Sequence, residues 1–153
     1  MAAVSIRNFT RGTRVPRLPY DRVAERVLPA WEISLVFAGN VRARSLNVRL
    51  RGKSYTPNVL SYALDKQSGE IIICLPEARR QAPAYGMSES NFILYLFIHG
   101  LLHLAGRPHG ATMERWEQRL LAEFAVSSSR TSHGATHRNR NRHRHLPGQA
   151  GRR

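Results

Sequence analysis

Residues 88–109 constrain this chain more than any other stretch. Ser88 is suited to capping a helix, and behind it come the longest apolar run of the sequence, residues 92–98, and then HGLLHLAGRPH. A serine side chain satisfies free N–H groups at a helix start, and a glycine ends a helix in a left-handed turn. A long helix from Ser88 through about Leu104, closed by Gly106, is therefore expected. Phe92 to Ile98, Leu101, Leu102 and Leu104 belong to its buried side, which makes it the central helix of the fold. The run falls short of the ~18–20 apolar residues of a membrane span and flows straight into histidines.

The first 126 residues hold three histidines, His99, His103 and His109, all inside that segment. His99 and His103 are four apart, so their imidazoles leave one helix face with Cβ atoms about 6 Å apart. That spacing suits one metal ion with Zn–N bonds of about 2.0–2.1 Å. A left-handed turn at Gly106 folds the chain back and can deliver His109 as a third ligand. Taken singly, each histidine reads as a hydrogen-bonded core or loop residue. The trio around one glycine points to one divalent ion per chain, zinc by the preference of neutral imidazoles. Three protein ligands leave a fourth position open, as in catalytic sites. The spacing is also that of the metzincin proteases, HExxHxxGxxH, but their general-base glutamate is here Gly100.

Charge narrows the partner. Lys and Arg number 24 against 10 Asp and Glu, a formal +14, which suits a polyanion such as nucleic acid. From Ser127 onward there are seven arginines and no acid. Residues 127–153, with almost nothing large and apolar to bury, are expected to form a disordered Arg-rich tail behind a folded domain of residues 1–126. The tail is read either as solvated chain or as an additional RNA contact. Within the domain no acid occurs between Glu32 and Asp65, whereas Arg42, Arg44, Arg49, Arg51 and Lys53 do. Arg42, Arg44, Arg49 and Lys53 are candidates to touch an RNA backbone. The single cysteine, Cys74, excludes an internal disulfide and reads as a small core residue. Residues 1–9 lack the basic-then-apolar pattern of a secretory leader, and a cytoplasmic location with no membrane association is expected.

Strands are expected at residues 3–9, 33–37, 59–64 and 70–75, the last (EIIICL) a central one. Ser68-Gly69 reads as the turn before it. Helices are expected at residues 21–28, stopped by Pro29, and at 41–50, ended by Gly52 with Val41, Leu46 and Leu50 as the buried stripe. Further helices are expected at 76–85, closed by Gly86, and from a Thr112 cap to Phe124. The fold class is α+β, a small mixed sheet of about four strands with about five helices and the metal site on the long central helix.

The ordered motifs resemble those of the YbeY family of bacterial metal-dependent endoribonucleases. The family hallmark, similar to H-G-x-L-H-L-x-G-Y-D-H, is matched by His99-Gly100-Leu101-Leu102-His103-Leu104-Ala105-Gly106-Arg107-Pro108-His109. A segment like LN-x3-RGKDKPTNVLSFP is matched by Leu46-Asn47, Arg51-Gly52-Lys53 and Asn58-Val59-Leu60-Ser61-Tyr62. A third, GD-I-x-I, is echoed by Gly69-Glu70-Ile71-Ile72-Ile73. The resemblance implies zinc on His99, His103 and His109, and a role for Arg51 in RNA cleavage. By itself Arg51 reads as a solvated arginine at a helix end. The resemblance further implies a single-strand-specific endoribonuclease of ribosomal RNA maturation, including 16S 3′-end processing and ribosome quality control, with the small subunit as partner. Pro108 replaces the family aspartate, Arg107 the tyrosine before it, and Thr56-Pro57 inverts Pro-Thr. The missing aspartate removes a carboxylate of the kind that fixes histidine tautomers. Alternative readings are a non-catalytic ribosome-assembly protein with a structural metal, and a metallopeptidase, which Gly100 and the basic surface disfavour.

Overall fold

A computed structural model describes residues 1–127. The Arg-rich tail lies, but for its first residue, outside the described residues. The order of elements is β1 (Ala3–Asn8), α1 (Tyr20–Val27), β2 (Glu32–Ala38), α2 (Asn40–Arg51), β3 (Val59–Asp65), β4 (Ser68–Cys74) and α3 (Leu75–Gln81). A 3₁₀ turn (Ala82–Tyr85), α4 (Glu89–Leu104) and α5 (Ala111–Phe124) complete it. The strands form one sheet in the order β1-β2-β4-β3. β1, β2 and β4 run parallel, and β3 pairs antiparallel with β4 through a hairpin. The expected class, a four-stranded mixed sheet with five α-helices, is the observed one.

Strand alternation sorts the core into two layers. Ile33, Leu35, Phe37, Ile71 and Ile73 face one side and pack with Tyr20 and Val23 of α1 and with the apolar side of α4. Val36, Ala38, Leu60, Ile72 and Cys74 face the other, where Ala43 of α2 packs. This two-sided burial explains why β4 reads as a near-continuous apolar run. α4 starts as its sequence dictates, with the Ser88 hydroxyl accepting from the Asn91 N–H at 3.2 Å.

Four local expectations need correction. The buried positions of α2 are Ala43 and Asn47, with Leu46 beside them, whereas Val41 is 86% and Leu50 49% exposed. At 3.6 residues per turn Val41 lies about 200° around the helix from Ala43, so the two cannot share a face, and Leu50 falls in the last turn. Ser68 and Gly69 belong to β4 and the turn lies at residues 66–67. Parallel pairing with β2 carries β4 back through Ser68, and α4 comes so close there that a Cβ on Gly69 would meet Leu104 at 2.7 Å. The helix expected over residues 76–85 breaks into α3 and the 3₁₀ turn, because Pro83 has no N–H to continue the α-helical ladder. The last helix begins at Ala111 behind Gly110, with no cap from Thr112.

Candidate metal centre

Tyr95, His99 and His103 repeat at intervals of four and so form a stripe on α4. Beyond Leu104 the chain reverses at Gly106, whose φ is +79°, a left-handed value that glycine adopts without a Cβ clash. The Arg107 N–H donates to the Leu102 carbonyl at 3.1 Å and the Gly106 N–H to the His103 carbonyl at 2.9 Å. These two bonds make a Schellman turn, and the returning chain sets His109 against the stripe, as the sequence led us to expect. Ring centres are 4.5 Å apart for His99 and His103, 4.3 Å for His103 and His109, and 5.4 Å for His99 and His109. One nitrogen from each ring lies within 4.8 Å of the other two.

The donor set fits a divalent cation. Nε2 of His99 and Nε2 of His103 face each other at 2.9 Å, near the ~3.4 Å separation of two nitrogens on one tetrahedral ion. Two of the imidazoles are also held toward the neutral, lone-pair form that a cation needs. Burial pushes His103 down to about 4, helped by His99, His109 and the charge of Arg51. Burial and the same neighbours His99 and Arg51 lower His109 too.

A residue that sequence reading missed completes the centre. The His99 Nδ1–H donates to Oε1 of Glu117 at 2.6 Å, and both side chains are buried. The carboxylate can only accept, so the proton stays on Nδ1 and the lone pair of Nε2 points at the other histidines. Tyr95 also hydrogen-bonds Glu117, and burial together with that carboxylate raises the phenol's pKa. Glu117 is thus a carboxylate placed to orient His99 in a chain whose hallmark segment has Pro108 in place of the family aspartate. Its signal was available: on α5 it shares a buried face with Met113 and Leu120, and a lone acid on an apolar stripe calls for a partner.

Gly100 belongs to the helix's packing. A Cβ there would stand 3.0–3.2 Å from the Ile71 side chain, so position 100 points at the sheet. A glutamate placed there would enter the core between α4 and β4.

On the other wall stands Arg51, the last residue of α2. It is exposed, its Nη1 donates to the Tyr55 phenol oxygen at 3.3 Å, and its charge is felt by both His103 and His109. The 53–55 segment beside it is pinned by α2, with Asn47 Nδ2 donating to the Tyr55 carbonyl at 2.9 Å and Arg44 Nε to the Ser54 carbonyl at 2.8 Å. Arg51 thus acts electrostatically on two of the three histidines, and the other basic candidates have surroundings of their own. Arg42 lies at the far end of α2, about 14 Å along the axis by a 1.5 Å rise per residue, with its guanidinium 4.2 Å from the Phe9 ring centre. Arg49 is exposed and Lys53 half-buried. Asn58 bonds Gln81 at 2.9 Å, and buried Cys74 meets Asn40 at 3.3 Å, which bears out its core role. Among the described residues no helix is long and apolar enough to cross a membrane.

Fold and site together define an α+β protein with three histidines positioned to bind a metal ion, two on its central helix and one just beyond it. Residues 17–128 match the family described as Endoribonuclease YbeY, and the chain belongs to the YbeY family. It is 33% identical over 123 residues to Endoribonuclease YbeY of Geobacillus kaustophilus, covering 67% of this chain and 79% of that relative. It is 31% identical over 145 residues to Endoribonuclease YbeY of Bacillus licheniformis, covering 74% and 92%. A solution structure of a Thermotoga maritima protein shares the fold, with a TM-score of 0.58 at 20% identity over 79% of this chain and 88% of that one.

Proposed function

We propose that this chain is a zinc-dependent endoribonuclease that cuts single-stranded RNA in ribosomal RNA maturation, working in the cytoplasm on the small ribosomal subunit. The observation that carries this reading is the convergence of three imidazoles, one backed by Glu117, with an exposed arginine whose charge acts on two of them. His99, His103 and His109 would hold the ion. When bound, a divalent ion there supplies Lewis acidity toward a phosphoryl oxygen.

The chain's own residues do the rest. Glu117 keeps the His99 proton on Nδ1 and fixes the ring's direction. Arg51 neutralises charge that builds on the phosphate, and its planar fork suits two oxygens. Tyr55 steadies that guanidinium. Arg49 and Lys53, each two residues from Arg51 in the sequence, add positive charge that favours the RNA backbone electrostatically, and the arginines of residues 127–153 add further salt-dependent affinity. A metallopeptidase reading loses its general base, because position 100 faces Ile71 and the sheet.

The test pairs elemental analysis with cleavage of a fluorescent single-stranded RNA, with and without EDTA. We expect one equivalent of zinc per chain and cleavage that EDTA abolishes and zinc restores. Cleavage at full rate by protein free of metal would refute the reading.

A further inference from the structure

The turn that returns His109 has a second side. Leu102, Gly106, Arg107, Trp116 and Leu120, with Arg26 from α1, line a cavity of about 410 Å³. That size falls within the range of small-ligand sites. Leu102 and Leu120 make its floor apolar, and no carboxylate lines it. The guanidinium of Arg107 stands 4.9 Å from the centre of the Trp116 ring, and Arg119 approaches the same ring at 5.7 Å. Arg26 pairs with Glu123 at 3.6 Å, a half-exposed pair of the kind that contributes little.

These features select a ligand by elimination. A purely apolar ligand would leave two guanidiniums unused, and a simple anion would not use the indole or the leucines. A flat ring carrying an adjacent phosphate uses all of them. Single-stranded RNA is recognised in this way, with unpaired bases stacked on aromatic rings or on arginine planes. Position also favours it. Gly106 is three residues from both His103 and His109, at most about 11 Å of chain, so one strand can reach both. Arg107 is moreover one of the two positions at which this chain departs from the hallmark motif.

We propose that this cavity takes one nucleotide of the RNA substrate, its base stacked on the Arg107–Trp116 pair and its phosphate directed to Arg26. The proposal rests on the endoribonuclease reading and adds a binding subsite beside the cation centre. The Arg107 guanidinium already lies over the indole in the chain without RNA.

The test is fluorescence anisotropy of a labelled single-stranded RNA octamer, 2′-O-methylated so that it cannot be cut, with full-length zinc-loaded protein. Arg107→Ala and Trp116→Leu should each weaken binding about 5- to 100-fold, the range for losing one base stack. Arg107→Lys should recover only part, because an ammonium has no plane to stack on. All three should keep one equivalent of zinc. Binding within twofold of the parent in both Arg107→Ala and Trp116→Leu would overturn the subsite and leave the endoribonuclease reading standing. Loss of zinc in Arg107→Ala would overturn it too, by showing that Arg107 only holds the His109 turn. If the parent itself does not bind the octamer, the endoribonuclease reading falls and the subsite with it. Should Trp116→Leu not fold, half-buried Arg107 decides alone.

Discussion

The two walls of the candidate site are built by opposite means. On the α4–α5 wall, His99 is buried, donates to a buried carboxylate and shares a stripe with Tyr95 and His103. On the α2 wall, Arg51 is exposed and held by one 3.3 Å bond to Tyr55. Burial serves His103, because desolvation keeps its imidazole neutral and ready for a cation. The same burial would disfavour the charge on which Arg51 depends. The first wall is therefore held by burial and a buried hydrogen bond, and the second by an exposed one.

The substitution that breaks this comparison hardest is His103→Ala. Two remaining imidazoles should not retain a stoichiometric ion, so elemental analysis should find less than a tenth of an equivalent by a rough estimate from losing one of three bonds. Cleavage should fall to background. A full equivalent of zinc on that variant would show that the ion sits elsewhere.

Glu117→Ala should sharpen the comparison from behind the ligands. Removing the carboxylate that orients a ligand histidine costs about 10- to 100-fold in metal affinity, to be read by competition with a chelator. It also leaves the buried His99 Nδ1–H without its acceptor, which costs about 1–3 kcal/mol of stability. Glu117→Gln, which can still accept that hydrogen bond, should recover part of both.

Acid should act on one wall only. His103 has a folded-state value near 4 against about 6.5 in the unfolded chain. A depressed value means that the stability is present above about pH 6.5 and is lost as pH falls toward 4. Melting of the metal-free protein should therefore be level from pH 8 to about 6.5 and decline below it. His103→Ala should flatten that decline, while Arg51→Ala should leave it in place.

The smallest effect belongs to Tyr55→Phe. Losing one exposed hydrogen bond to Arg51 should slow cleavage by no more than about fivefold, with zinc content unchanged. A hundredfold loss would mean that the second wall is as rigidly built as the first.

What the sequence disclosed follows the same division. The α4 segment carries its cap, apolar run, paired histidines and terminal glycine within a few turns, so local rules suffice, and the Schellman turn delivers His109 as those rules require. Glu117 was hidden because its partner lies 18 residues away and only packing of α5 on α4 joins them. The face of α2 was misread for a related reason: its buried positions are one small residue and one polar one, Ala43 and Asn47, and an apolar stripe is a poor guide to a helix that packs closely over a small core. Arg51 could not be told from its basic neighbours by charge, since its bond to Tyr55 and its influence on His103 and His109 appear only in the folded chain.

The claim that both walls act on one phosphate is tested most directly by single-turnover cleavage of a single-stranded RNA by Arg51→Ala at saturating protein with one equivalent of zinc bound. Losing one preorganised electrostatic contact should lower that rate by about 10²-fold or more with the fold and the zinc intact, and Arg51→Lys should restore only part of it. A parent rate in zinc-loaded Arg51→Ala would contradict the account and remove the α2 wall from the chemistry.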